Sequence, residues 1–240
     1  MLSLLTKEIN GFFNQITGYL ILGVFLIAIG LIVWVFPDTS VLEYGFADLE
    51  ALFLYTPYVF VFMVPAITMK MIAEEKRSGT WELLMTAPLS TFQIVMAKYL
   101  ASVILVIVAL LPTLIYHFSI VQLGDPVGNI DSAGFFGSFF GLMFISAVFT
   151  AIGLFSSSIT DNQIVAFVIG VFISFLLYFG LTALTDLQAA SGFSLFLENI
   201  SLSYHYRSMS RGVIDSVNLL YFLTLITIFL LATTFNIRRR

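Results

Sequence analysis

Six stretches of this 240-residue chain run for about twenty residues or more without an Asp, Glu, Lys or Arg side chain, and a helix needs about 20 apolar residues to cross a bilayer. They are 16–36, 51–69, 99–123, 133–159, 164–185 and 217–237. Each run is continuously apolar, which excludes a transmembrane β-barrel, because barrel strands alternate lipid-facing and lumen-facing residues. The expected fold class is an all-α integral membrane protein with six transmembrane helices in a single domain over 1–240. Charged residues make up only 10% of the chain, against about 25% in soluble domains.

The basic residues orient the bundle, since cytoplasmic loops carry the excess of Lys and Arg. With both termini inside, Lys7, Lys70, Lys76, Arg77, Lys98, Arg238, Arg239 and Arg240 fall on the inner side and only Arg207 and Arg211 outside. The acids Asp38, Glu43, Asp48, Glu50, Asp125, Asp131, Asp186, Glu198 and Asp215 fall outside. Cytoplasmic N- and C-termini are therefore expected. The first fifteen residues lack a basic region followed by a short apolar stretch and cleavage site, so no removable signal peptide is expected. Leu4, Leu5, Ile9, Phe12 and Phe13 recur at helical spacing, which predicts an amphipathic helix lying on the inner membrane surface.

Pro57 and Pro65 in the second run and Pro112 in the third each remove a backbone donor and predict kinks. Gly137 and Gly141 form a small-xxx-small pair. Such a pair permits close helix approach and would suit a dimer contact, though it is also frequent by chance. Thr160 and Gln163 fit a capping box with Ile159 and Ile164 as its staple, predicting a tight turn between the fourth and fifth spans. In the outer segment 186–216, Phe193, Phe196, Leu197, Ile200 and Tyr204 recur every three or four residues. That spacing predicts one or two short helices on or in the outer leaflet. His205 reads as an interfacial polar residue, with gating or pH sensing as the alternative. His117 reads as hydrogen-bonded within the bundle or snorkelling.

Several function classes are excluded. The chain has no Cys and two His, which argues against Cys- or His-based metal centres. It contains no GxxxxGK[ST] phosphate loop, so it is not expected to hydrolyse ATP alone. Apart from Lys70 near an inner end, no Asp, Glu, Lys or Arg lies deep within a span, whereas ion-driven carriers use such groups. Ser156, Ser157 and Ser158 sit near the inner surface and both histidines toward the outer, so no Ser–His catalytic pair is expected. No basic patch suits nucleic acid.

The long polar run with mixed charge, 74–98, lies between the second and third spans on the inner side. Glu74, Glu75, Lys76 and Arg77 make a charged exit, and Gly79 permits a sharp change of direction. Thr80 is placed to cap a short helix with Glu82 in its first turn. Trp81, Leu84 and Met85 would share one face, and Pro88 stops the helix. Ser90 and Gln93 form a second capping box, stapled by Leu89 and Ile94. A short, stiff, partly apolar cytoplasmic helix suits a partner's groove. An amphipathic link resting on lipid headgroups would read the same.

The run Glu74-Glu75-Lys76-Arg77-Ser78-Gly79-Thr80-Trp81-Glu82-Leu83-Leu84, followed by Pro88-Leu89-Ser90, resembles the signature of ABC-2 type transporter permeases. Arg211-Gly212-Val213-Ile214-Asp215 and Thr160-Asp161-Asn162-Gln163-Ile164-Val165-Ala166-Phe167 resemble the gliding-motility-associated subgroup of Bacteroidetes. The likeness implies a half-transporter of type V exporter-like fold in the bacterial inner membrane. It implies a separate ABC ATPase subunit that binds ATP and Mg, so that this chain carries no cofactor and is not an enzyme. It also implies a second permease copy or homologous membrane subunit, giving a homo- or heterodimer in the lipid bilayer. On this resemblance Glu75, Gly79, Thr80, Trp81, Glu82, Leu83, Leu84, Met85 and Pro88 would form the ATPase-coupling segment. Phe196, Ile200, Tyr204, Arg211, Gly212 and Asp215 would belong to a periplasmic gate. The implied function is export driven by the partner's ATP hydrolysis, with a link to gliding motility. A membrane scaffold that anchors a motility or secretion machine without transport shares the docking helix and is the rival reading.

Overall fold

A computed structural model describes residues 1–44, 47–187, 197–212 and 215–238. Among these, the regular structure is helical. The order is α1 (Leu2–Phe13), α2 (Ile16–Trp34), α3 (Val41–Tyr44), α4 (Glu50–Thr68), α5 (Lys70–Arg77), α6 (Thr80–Met85), α7 (Thr91–Leu110), a 3₁₀ turn (Leu111–Thr113), α8 (Leu114–Leu123), α9 (Ser132–Ile159), α10 (Gln163–Phe175), a wide π turn (Leu176–Gly180), α11 (Leu181–Leu187), α12 (Leu202–Ser210) and α13 (Ser216–Arg238). Six helical stretches are long and apolar enough to span a membrane: Ile16–Trp34, Glu50–Arg77, Thr91–Leu123, Ser132–Ile159, Gln163–Leu184 and Ser216–Arg238. The protein is thus an all-α, six-span membrane protein. Phe193, Phe196, Val213, Ile214, Arg239 and Arg240 lie outside the described residues.

The bundle is built around α9, which packs against α4, α10, α12 and α13. Its glycines set how closely they approach. A Cβ on Gly153 would lie 2.0 Å from Thr68 Oγ1, and one on Gly141 would lie 2.8 Å from the Tyr206 ring. Gly137 would likewise meet Met209 O at 2.6 Å. The Gly137/Gly141 pair therefore serves packing of α12 within the same chain, which corrects the dimer-contact reading. The apolar stripe Leu202, Tyr206 and Met209 is buried against α9. The outer segment therefore packs α12 into the bundle instead of laying it on the leaflet.

Each expected proline break has an outcome. Pro57 lies within α4 and cannot donate to the carbonyl of Phe53, one turn earlier. That carbonyl accepts from the buried Tyr206 hydroxyl at 2.9 Å. Pro65 is also within α4 and packs against Gly170 of α10. The step from α4 to α5 falls at Met69, where the Ser157 hydroxyl donates to Met69 O at 2.9 Å. The Ser157 hydroxyl oxygen in turn accepts from Ile72 N at 3.1 Å and Ala73 N at 3.0 Å. A side chain placed in the backbone ladder bends a helix. Pro112 sits in the 3₁₀ turn that divides α7 from α8.

Three local expectations are corrected. The α9–α10 turn is tight, but Asn162 caps α10, accepting from Ile164 N at 2.9 Å, while Thr160 Oγ1 accepts from Asn162 N at 3.1 Å. The Thr160/Gln163 box is displaced because Asn162, one residue before the helix, reaches its free amides more directly. His205 is buried, with Nδ1 2.7 Å from Asn218 Oδ1 and Nε2 2.9 Å from Asn199 O, and its ring stacks on Tyr221. Burial of the α12 stripe carries it inward from the interface. His117 stacks on Phe135 with ring centroids 4.1 Å apart, and its buried Nδ1 has no hydrogen-bond partner among the described residues.

Candidate functional site at the basic end of the bundle

Gly79 takes φ 72°, a left-handed conformation that other residues rarely adopt, and turns the chain from α5 into α6. Thr80 does not cap α6 as expected; Gly79 occupies the cap position, with no side-chain cap bond. The Thr80 hydroxyl instead points back to the turn, 2.9 Å from Ser78 Oγ and 3.4 Å from Glu75 O. The helix ends at Met85, and Pro88 lies beyond it in the link to α7. The second capping box forms: Ser90 N donates to Gln93 Oε1 at 2.9 Å and Gln93 N to Ser90 Oγ at 3.3 Å.

The faces of α6 are unequal. Trp81 and Leu84 pack on a small apolar cluster of Leu4 from α1 with Ile94 and Ala97 from α7. Leu83 is 72% exposed and Met85 41%, and Glu82 is exposed beside them. The expected face of Trp81, Leu84 and Met85 is thus divided. A helix of under two turns buries only the strip between Trp81 and Leu84, leaving Met85 at its edge.

Beneath α6 lies a cluster of charged side chains from three separate helices. Lys98 is the one Asp, Glu, Lys or Arg buried among the described residues, at 0% exposure. Its Nζ lies 2.8 Å from Glu8 Oε1 of α1 and 2.8 Å from Glu75 Oε2 of α5. The Glu8 contact is a hydrogen bond; the Glu75 contact has the distance of an ion pair without hydrogen-bond geometry. Lys7 donates to Glu75 Oε1 at 3.0 Å and stands 3.7 Å from Glu8. Partial burial works to lower the Lys7 pKa, but the hydrogen bond and charge of Glu75, with the charge of Glu8, outweigh it and raise the pKa above 10.5. One sequence signal marks Lys98 as buried, though not its partners. The Ser90 box starts α7 well before 99, and Lys98 then lies one helical turn from Ile94 on the buried face.

Further bonds tie this end to the bundle. Lys76 Nζ donates to Ser158 O, which also accepts from Asn236 Nδ2 of α13 at 2.8 Å. Lys70 Nζ donates to Gln15 Oε1 at 3.3 Å and Thr17 Oγ1 at 3.2 Å. A cavity of about 290 Å³ opens between α1 and α4–α5, bordered by Lys7, Lys70 and Glu74.

At the opposite end the candidate gate residues do not form one constellation. Tyr204 and Arg211 border a cavity of about 260 Å³. Ile200 O accepts from the Tyr221 hydroxyl. Gly212 turns with φ 79°, and Asp215 accepts from Val217 N at 3.3 Å at the head of α13. Phe196 lies outside the described residues. A larger cavity of about 650 Å³ there is bordered by Asp48, Glu50, Phe53, Asp131, Tyr206 and Arg207; of these, Tyr206 was not singled out from the sequence.

A bundle of six helices long and apolar enough to span a membrane, with a short helix at its basic end, defines an all-α, multi-pass membrane protein. The chain belongs to the ABC-2 family of transporter proteins, whose family model matches residues 5–237. It is accordingly a membrane transport permease, not itself a catalyst, of a family whose permeases work with ABC ATPases. No curated protein matches the chain.

Proposed function

We propose that this permease serves an ATP-driven exporter, in which a separate ABC ATPase grips α6 and passes its ATP-driven movement into the bundle. The observation that carries the proposal is the division of α6 into a fixed face, Trp81 and Leu84, and a free face, Glu82, Leu83 and Met85. A short helix packed on one side and apolar on the other offers a rigid knob for a groove. ATP and its Mg belong to the partner. Gly79 and Pro88 bound the knob, and Glu75 anchors its stem. The basic end faces the cytoplasm of a bacterial inner membrane, and a second permease copy or homologous membrane subunit completes the transporter. Ile200, Tyr204, Arg211, Gly212 and Asp215, with Phe196, act at the periplasmic exit. The likeness of 211–215 and 160–167 to the gliding-motility subgroup extends the proposal to an exporter linked to gliding motility.

The test uses Glu82→Lys and Leu83→Asp, which alter the free face alone. Binding of the cognate ATPase to the reconstituted permease should weaken by roughly tenfold or more, as for loss of an interface contact of about 1.4 kcal/mol. Unaltered binding and ATPase rate in both variants would overturn the coupling assignment. A complex whose ATPase rate ignores every candidate substrate, lipids included, would instead indicate a scaffold.

A further inference from the structure

We infer that the buried cluster of Lys98, Glu8 and Glu75 is a positioning device that sets α1 and α6 in one fixed register, so that the interfacial helix and the coupling helix move as a single lever. The inference rests on the coupling role proposed for α6. Three helices meet at one ammonium: Lys98 on α7, Glu8 on α1 and Glu75 on α5. Glu75 is four residues from Gly79, where α6 departs. The apolar contacts of Leu4 with Ile94, Trp81 and Leu84 hold α1 and α6 together, but apolar attraction is non-directional and permits sliding. The ion contacts have direction. A shift of α1 by one residue moves Glu8 by about 1.5 Å along the axis and about 100° around it, taking from the fully buried Lys98 its hydrogen-bonded carboxylate and leaving only the Glu75 contact. Leaving one charge of a buried pair alone is strongly unfavourable, whereas replacing all of them by uncharged groups is often neutral for stability. The cluster therefore contributes register more than adhesion. Lys7 supports the same arrangement from the rim, completing two ammoniums against two carboxylates.

The absence of cysteine lets spin labels be placed on the native chain. With labels at Ser3 on α1 and Thr86 just after α6, both exposed, the permease in lipid nanodiscs should give one narrow inter-label distance distribution. The triple variant Glu8→Gln/Glu75→Gln/Lys98→Met removes the charges while keeping volume, and should fold with a near-unchanged thermal midpoint. Its distance distribution should be broadened or multiple. Lys98→Met alone, which leaves two carboxylates against Lys7 only, should lower the thermal midpoint. The assembled complex with the ATPase supplies the second readout. Transport-linked ATPase stimulation should fall by roughly 2- to 30-fold, the range for residues that transmit coupling. A triple variant as narrow in distance distribution as the unsubstituted chain overturns the inference. A broadened distribution with unaltered stimulation overturns the lever. If the unsubstituted permease binds no ABC ATPase, the proposed function fails, and the distance measurement on the permease alone still decides the register.

Discussion

Lys7 stands exposed at the edge of the ion cluster, and its ammonium answers to pH in a calculable direction. Its pKa in the folded chain is raised above 10.5. A cation whose folded pKa exceeds its unfolded value contributes stability that is fully present below the unfolded value and is lost as pH rises through the folded one. The Lys7 ammonium's share of the tie to Glu75 should therefore persist through the neutral range and be lost only in alkali. Fluorescence from a label on α1 should show no transition in the neutral window, and one centred near pH 7 would contradict the assignment of Lys7. Lys98 teaches something different about single residues. Its charge type placed it in the inner loop by every compositional rule, and Lys is rarely buried unless paired. Its partners come from residues 90 and 23 positions away in sequence, so the pairing that permits its burial belongs to tertiary structure. No local pattern contains it.

Helix breaks show the same division between local and distant causes. The stop before Pro88, the Ser90/Gln93 box and the 3₁₀ turn at Pro112 were legible because proline and capping residues act on their own neighbours. The bend at Met69 was not, because its cause is Ser157 on another helix. The π turn at Leu176–Gly180 likewise carries no proline to announce it. Ser157→Ala should remove the hydroxyl that serves Met69 O, Ile72 N and Ala73 N. The loss should destabilise the chain by about 1–3 kcal/mol, the usual result of leaving a buried polar group unpaired. Amide hydrogen exchange at Ile72 and Ala73 should rise while that of α13 stays unchanged. Unaltered protection at both amides would mean that the bend is held by packing, with Ser157 a bystander. The faces of α6 were also half legible: spacing brought Trp81 and Leu84 together, but where the buried strip ended depended on the width of the surface offered by α1 and α7.

Taken whole, the molecule is polar at two ends of different sign, a basic end carrying α1 and α6 and an acidic end with Asp48, Glu50 and Asp131 around the larger cavity. Its six spans were readable from apolar length alone, since burial in lipid demands a run that no soluble helix needs. Orientation is a property of the entire chain and can be checked in cells. Single cysteines at Ser78, at the basic end, and Val127, at the other, both lie at exposed positions. A membrane-impermeant maleimide should label Val127→Cys in intact cells and Ser78→Cys only after permeabilisation; the reverse pattern would invert the bundle. The bond between Tyr206 and Phe53 has a consequence in time as well as space. These residues are 153 positions apart, so a ribosome has long since released the second span when Tyr206 emerges. Until then α4 carries near its outer end a carbonyl that Pro57 has left without its helical donor. Biogenesis of the second span thus finishes only after the outer segment has been translocated.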